Sequence, residues 1–233
     1  MQIKNAMILA AGYGKRLLPI TEKIPKPLIK IGQKNLLERS IETLIKIGVT
    51  KVVINSFYLS DKIKEFLKNA KYQISINLIE EKGLILETGG GILNATKDFE
   101  KEPFYVLNPD TIWNKNYFAE LKILENFYFE TKKPVLLLVD KKKAHDKSFK
   151  GDFNINDKNL VTRDNNNNFI FTGAQILDRS VFDREKEKIF SMNKVWDNLI
   201  KDKSLFGYES NQTFYHINKL SIYNELKDLK FID

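Results

Sequence analysis

A chain of 233 residues, 42% of them hydrophobic, can bury one sizeable core and has room for an elaborated α/β domain. The absence of cysteine excludes disulfides, thiolate metal sites and a cysteine nucleophile. No apolar run approaches the ~18 residues of a membrane span, and the first is too short for a signal-peptide core, so the expectation is a soluble, cytoplasmic protein without a membrane partner. The net charge of +8 comes from lysines dispersed along the chain, which argues against a nucleic-acid groove and suits polyphosphate substrates.

Met7, Ile8 and Leu9 predict a strand covered on both faces of a parallel sheet, emptying into a turn at Gly12 and Gly14. Without Cβ atoms there, peptide N–H groups can approach a phosphate or a base edge. Lys15, Arg16 and Lys26 add positive charge, and Pro19, Pro25 and Pro27 stiffen the loop and prevent a long helix. The dinucleotide fingerprint G-x-G-x-x-G fails at Leu17, and no Walker-type G-x-x-x-x-G-K-[ST] occurs. What remains is a rigid cationic loop suited to an anion, or a surface turn with scattered lysines.

Residues 35–48 have helical spacing and end at Gly48. Residues 51–55 read as a buried strand, 61–70 as a helix and 73–79 as a third strand, the alternation of a parallel sheet with crossover helices. Gly89, Gly90 and Gly91 stand just before a helical stretch that runs to about Phe99, either as a flexible turn or as a helix start that admits a ligand. Residues 104–107 form the fourth strand, followed by Asn108, Pro109 and Asp110. A carboxylate at the C-terminal end of a central parallel strand lies where open α/β sheets bind ligands, although Asp after Pro is also ordinary turn chemistry.

A helix over 117–130 and a strand over 134–139 follow. Beyond them, the short runs 159–162 and 169–177 and the asparagine turn 165–168 predict a small antiparallel lobe. The chain then predicts a helix over 195–200, strands over 204–209 and 212–217, and a closing helix over 219–230.

The string Leu9-Ala10-Ala11-Gly12-x-Gly14-x-Arg16, with Pro19 and then Pro25-Lys26-Pro27-Leu28, resembles the signature of the sugar-1-phosphate nucleotidyltransferases. Two further blocks support it, Glu87-Thr88-Gly89-Gly90-Gly91 and Asn108-x-Asp110. The resemblance implies a single domain over 1–233, with a mostly parallel, Rossmann-like sheet in a nucleotide-binding part to about residue 140 and a small antiparallel sugar-side lobe from about 141. It also implies a monomer that binds a nucleoside triphosphate and a sugar 1-phosphate.

On the same resemblance, Ala11, Gly12, Gly14 and Lys15 seat base and triphosphate, with Glu81, Thr88 and Gly89 on the nucleotide side. Arg16 meets the departing pyrophosphate, Lys26 contacts phosphates at the reacting centre, and Asp110 holds Mg²⁺. His216 stands where many relatives carry a second metal-binding Asp. Asp152, Thr172 and Gly173 lie in segments similar to the family's sugar-side turns. Pro109, His216, Asn218 and Lys219 depart from the common pattern.

Within the family the chain is most similar to N-acetylmuramate-1-phosphate uridylyltransferases of cell-wall recycling. A mannose-1-phosphate guanylyltransferase, a glucose-1-phosphate thymidylyltransferase and a non-catalytic sugar-nucleotide sensor are the alternatives.

Overall fold

The structure is a computed structural model, described for residues 1–229. In chain order it comprises β1 (Asn5–Ala10), β2 (Lys30–Ile31), β3 (Lys34–Asn35), α1 (Leu36–Lys46), β4 (Lys51–Ser56), α2 (Ser60–Asn69), β5 (Ser75–Glu80), α3 (Glu87–Ala95) and β6 (Phe104–Leu107). There follow α4 (Asn116–Thr131), β7 (Val135–Asp140), β8 (Asn154–Ile155), β9 (Val161–Thr162), β10 (Phe169–Leu177), α5 (Met192–Lys201), β11 (Phe206–Ser210) and α6 (Leu220–Leu226).

Seven strands form one sheet in the order β11-β7-β10-β6-β1-β4-β5. β1 pairs in parallel with both β4 and β6, β4 with β5, and β7 with β11. β10 alone runs antiparallel, between β6 and β7. The chain leaves β1 toward β4 and β5 and returns through α3 to β6 on the other side, so β1 and β6 flank the switch point where such sheets bind ligands.

Side chains alternate across the sheet as the strand period requires. Ala6, Ile8 and Ala10 of β1, Val52 and Ile54 of β4, and Tyr105 and Leu107 of β6 pack with Leu37, Ile41 and Leu44 of α1 and Leu121 and Leu124 of α4. Met7, Val53, Phe104 and Val106 face the other way, onto Ile92 and Ala95 of α3 and Val195 and Trp196 of α5. Helix α1 begins in a reciprocal capping box: Asn35 Oδ1 accepts from Glu38 N at 2.8 Å, and the Glu38 carboxylate accepts from Asn35 N. Among the described residues, no helix is long and apolar enough to cross a membrane.

The α/β sheet and its crossover helices agree with expectation, and several details differ. β10, assigned by its pattern to the small lobe, is a central strand of the main sheet. The antiparallel lobe reduces to the β8–β9 pair and single bridges from Phe153 to Phe169 and from Leu160 to Phe206. Residues 212–217 are not a strand. The Glu120 carboxylate captures Asn211 N and the Gln212 side chain just past β11, and Phe214 and His216 then make single bridges to Ala144 and Thr111 on separate segments. The glycines of 89–91 lie inside α3 rather than before it. α6 ends at Leu226, and residues 230–233, including the expected end of the closing helix, lie outside the described residues.

Candidate functional site

A cleft of about 340 Å³ opens at the C-terminal ends of β1, β4 and β6. The loop after β1 forms one wall, with Ala11, Gly12, Gly14, Lys15 and Arg16. Asn55 at the end of β4 and Ile85, Glu87 and Thr88 at the start of α3 form another. Asn108, Pro109 and Asp110 after β6, with Lys26 and Asn218, complete it.

The loop holds its shape through side chains outside the cleft. Gly14 adopts φ +68°, and a Cβ there would lie 2.8 Å from Thr21 Cγ2. Thr21 donates to Gly14 O at 3.0 Å, and Tyr58 OH donates to Thr21 O at 2.9 Å. Three short 3₁₀ turns, Lys15–Leu17, Ile20–Glu22 and Lys26–Leu28, replace any long helix, as the prolines require. Among the described residues, the N–H groups of Gly12, Tyr13 and Gly14 donate to no protein acceptor. Lys15 and Arg16 are exposed beside them, and the Lys15 ammonium lies over the Tyr13 ring. Free N–H groups and cations together make a concavity for an anion.

At the opposite wall, Lys26 Nζ lies 2.5 Å and His216 Nε2 3.1 Å from the same oxygen, Asp110 Oδ2. Burial would raise the carboxyl pKa of Asp110. His216 and Lys26 outweigh it and hold the group well below the ordinary carboxylate range. The other oxygen, Asp110 Oδ1, is buried and accepts from no described residue.

That unpaired oxygen bears on whether Mg²⁺ fits. Mg²⁺ takes oxygen ligands and commonly uses one or two carboxylates, completing its shell with water and substrate phosphates. The described residues contain no cluster of three His, Cys, Asp or Glu side chains able to hold an ion by themselves. A buried carboxylate oxygen on a cleft residue, accepting from no described residue, fits an ion that completes its shell with water and phosphate oxygens. His216 stands differently from a second ligand. Its Nε2 contacts Asp110, its ring stacks on Phe214 at 5.6 Å, and its Nδ1 is buried with no partner among the described residues. In this arrangement His216 faces the Asp110 carboxylate and does not line the cleft.

Four other expected contacts fall behind the cleft wall. Glu81 is buried with both oxygens in use: Oε1 accepts from Asn55 Nδ2 at 2.7 Å and Oε2 from Leu86 N at 2.8 Å. Asn55 Oδ1 in turn accepts from Ala10 N at 2.8 Å, so Glu81 acts on the loop through Asn55. The N–H groups of Gly89 and Gly90 both donate to Phe190 O, and a Cβ on Gly89 would lie 2.4 Å from the Phe190 ring. Close packing is what selects glycine here.

Thr172 is fully buried and donates to Leu137 O at 2.8 Å. Gly173, at φ +93°, lets the chain press against Asn108, whose N–H donates to Gly173 O at 2.8 Å. Asp152 is exposed outside the cleft lining and accepts from Phe171 N at 2.9 Å. Thr88 does line the cleft, although its Oγ1 also accepts from Met192 N.

Asn55, Ile85 and Asn218 line the cleft without being assigned to it by motif, and of these Asn55 has a readable signal. Its signal is a polar residue closing the apolar run Val52-Val53-Ile54 at the C-terminal end of a parallel strand.

Comparisons with known proteins agree with this architecture. Residues 5–188 match the model of the family described as nucleotidyl transferase. An N-acetylmuramate alpha-1-phosphate uridylyltransferase from Caulobacter vibrioides is 34% identical over 113 residues, covering 47% of either chain. A mannose-1-phosphate guanyltransferase beta-B from Xenopus laevis is 36% identical over 111 residues, 46% of this chain and 31% of its own. The matched segments thus span about a third to a half of these curated relatives.

Among solved structures, HddC from Yersinia pseudotuberculosis in complex with GMP-PN superposes with a TM-score of 0.78 at 24% identity, over 97% of this chain and 99% of that one. A UDP-glucose pyrophosphorylase complexed with UDP-glucose gives 0.81 at 18% identity, over 97% and 98%. At such identities the likeness establishes the fold. The family match over residues 5–188, on a sheet and switch-point cleft of this form, establishes that the chain belongs to the nucleotidyl transferase family of sugar-1-phosphate nucleotidyltransferases.

Proposed function

We propose that the protein transfers a nucleotidyl group from a nucleoside triphosphate, UTP, to a sugar 1-phosphate, N-acetylmuramate 1-phosphate, releasing pyrophosphate in an Mg²⁺-dependent reaction. The observation that carries this reading is the pairing of Lys26 with Asp110 at 2.5 Å across a cleft whose other wall offers unpaired loop N–H groups and Arg16.

The sugar phosphate oxygen attacks the α-phosphorus of the nucleotide. The new O–P bond forms as the bond to the β-phosphate bridging oxygen breaks, and pyrophosphate leaves with that electron pair. No protein nucleophile or base is needed, because the attacking phosphate is already ionised. The protein has to hold two anions in line and offset their repulsion. The N–H groups of Gly12, Tyr13 and Gly14 receive the triphosphate, Arg16 meets the pyrophosphate at the mouth, and Lys26 lies where both phosphates approach. Asp110 would hold Mg²⁺, which when bound would supply charge neutralisation at the nucleotide phosphates. His216 keeps the Asp110 carboxylate ionised and oriented.

The uridylyl and N-acetylmuramyl choice is supported by the motif similarity and by the Caulobacter relative. Guanylyl transfer to mannose 1-phosphate is the second reading, supported by the Xenopus relative at comparable identity. Pyrophosphate release across four nucleoside triphosphates and a series of sugar 1-phosphates tests both. The reading expects the highest kcat/KM for UTP with N-acetylmuramate 1-phosphate. A preference for GTP with mannose 1-phosphate would replace it with the second.

A further inference from the structure

Asn218 lines the cleft and is 8% exposed. The two ends of its carboxamide are not interchangeable here. Behind it lies Asp146, a buried side chain that accepts from Ser148 N at 3.0 Å, Ser148 Oγ at 2.6 Å, Lys219 Nζ at 3.1 Å and Asn218 Nδ2 at 2.9 Å. An ionised carboxylate only accepts, so the amide must turn its NH₂ toward Asp146; the reversed amide would set oxygen against oxygen. The remaining atom, Asn218 Oδ1, is buried and accepts from no described residue.

Buried acceptors in folded proteins are almost always satisfied. An unpaired one on a cleft residue, held in one orientation by a buried charge, calls for a donor that comes with the ligand. The ligand's phosphates cannot provide it, since ionised phosphate oxygens are acceptors themselves, and the cleft already meets them with Lys15, Arg16, Lys26 and loop N–H groups. A sugar ring carries hydroxyls and, when acylaminated, an N–H.

We propose that Asn218 Oδ1 accepts a hydrogen bond from a hydroxyl or N–H of the sugar, making Asn218 a specificity-determining residue with Asp146 as its positioning residue. The proposal rests on reading the cleft as a sugar-phosphate site.

Its test compares the wild type with Asn218→Ala on the preferred sugar 1-phosphate and on its deoxy and deacylated analogues, after wild-type pyrophosphate release has established the parent reaction. One analogue should lose about tenfold or more in kcat/KM with the wild type, because a site built to bond a donor rejects the analogue lacking it. Asn218→Ala should lose a similar factor on the parent sugar, through the sugar KM and with the nucleotide KM unchanged, and should no longer discriminate against that analogue. Asp146→Asn, which allows either end of the Asn218 amide to face it, should weaken the same discrimination. If the alanine variant does not fold, Asn218→Ser applies the same test.

Equal losses on every analogue, an unchanged sugar KM, or a shift in Mg²⁺ dependence in place of sugar selectivity would each overturn the assignment. The last would mark a metal-bound water as the donor. No pyrophosphate from the wild type with any substrate pair would overturn the parent reading and this one with it.

Discussion

Lys26 is the side chain whose loss discriminates most sharply among roles for the cleft. Its ammonium is paired with Asp110 and lines the cleft, and in the proposed reaction it stands where two phosphates meet. Removing one charge-stabilising group of this kind typically costs about 10²- to 10³-fold in rate. Lys26→Ala and Arg16→Ala are each expected to lower kcat by about 10² or more at saturating substrates, with an unchanged far-UV spectrum. Thr172 carries the opposite expectation. Because its hydroxyl is spent on Leu137 O in the core, Thr172→Val should cost about 1 kcal/mol in denaturant unfolding and leave the sugar KM unaltered. A raised sugar KM without loss of stability would return Thr172 to the sugar side.

These two residues mark what was legible in the chain. The place of Arg16, Lys26 and Asp110 in the cleft is readable because they stand in motif blocks just past strand ends, although residue type alone also allows a surface turn. Thr172 and Glu81 are not, because a buried partner such as Leu137 O or Leu86 N is distant in sequence or contributed by the backbone, and a motif cannot show that a side chain is already occupied.

At the scale of elements, α3 shows the same limit. Its glycines look like a ligand-facing turn in sequence, yet each meets a different neighbour: Gly89 the Phe190 ring, Gly90 the Lys188 carbonyl, and Gly91 the Asn55 and Glu81 side chains. Gly90 is the most confined, since a Cβ there would lie 2.2 Å from a backbone oxygen that cannot swing away. Gly90→Ala should therefore destabilise the fold by about 1–3 kcal/mol, the usual cost of overpacking, even though alanine is the better helix former. Equilibrium unfolding that places Gly90→Ala at or above wild-type stability would show that α3 is not docked in this way. β10 escaped a correct placement for a related reason. Most of its nine residues are apolar, as in a core strand, but the glycine and asparagine turns before it read as a lobe, and strand order depends on pairings that local pattern does not encode.

For the whole molecule, the network around Asp146 ties residues 146–148 to the segment that carries Asn218 into the cleft and His216 against Asp110. Burial would raise the Asp146 pKa. Hydrogen bonds from Asn218, Ser148 and Lys219 outweigh it and hold the group below the ordinary carboxylate range. A folded-state pKa below the unfolded value of about 3.9 contributes stability that is complete above that value and is lost as pH falls through the lower folded value. Asp146→Asn should thus be less stable than the wild type by about 1–3 kcal/mol at neutral pH, with the gap narrowing below about pH 4. A gap independent of pH in thermal unfolding would mean that the carboxylate charge has no part in holding this segment.

The central claim joins the cationic loop after β1 and the carboxylate after β6 in one reaction, and pyrophosphate release tests it most directly. Wild-type protein with Mg²⁺, UTP and N-acetylmuramate 1-phosphate should release one pyrophosphate per nucleotide-sugar formed, and omission of any one component should abolish it. Under the same conditions Lys26→Ala and Asp110→Asn should each fall by about 10² or more. Full pyrophosphate release by folded Lys26→Ala or Asp110→Asn, or none from the wild type with any of the four nucleotides and the sugar 1-phosphate series, would contradict the account.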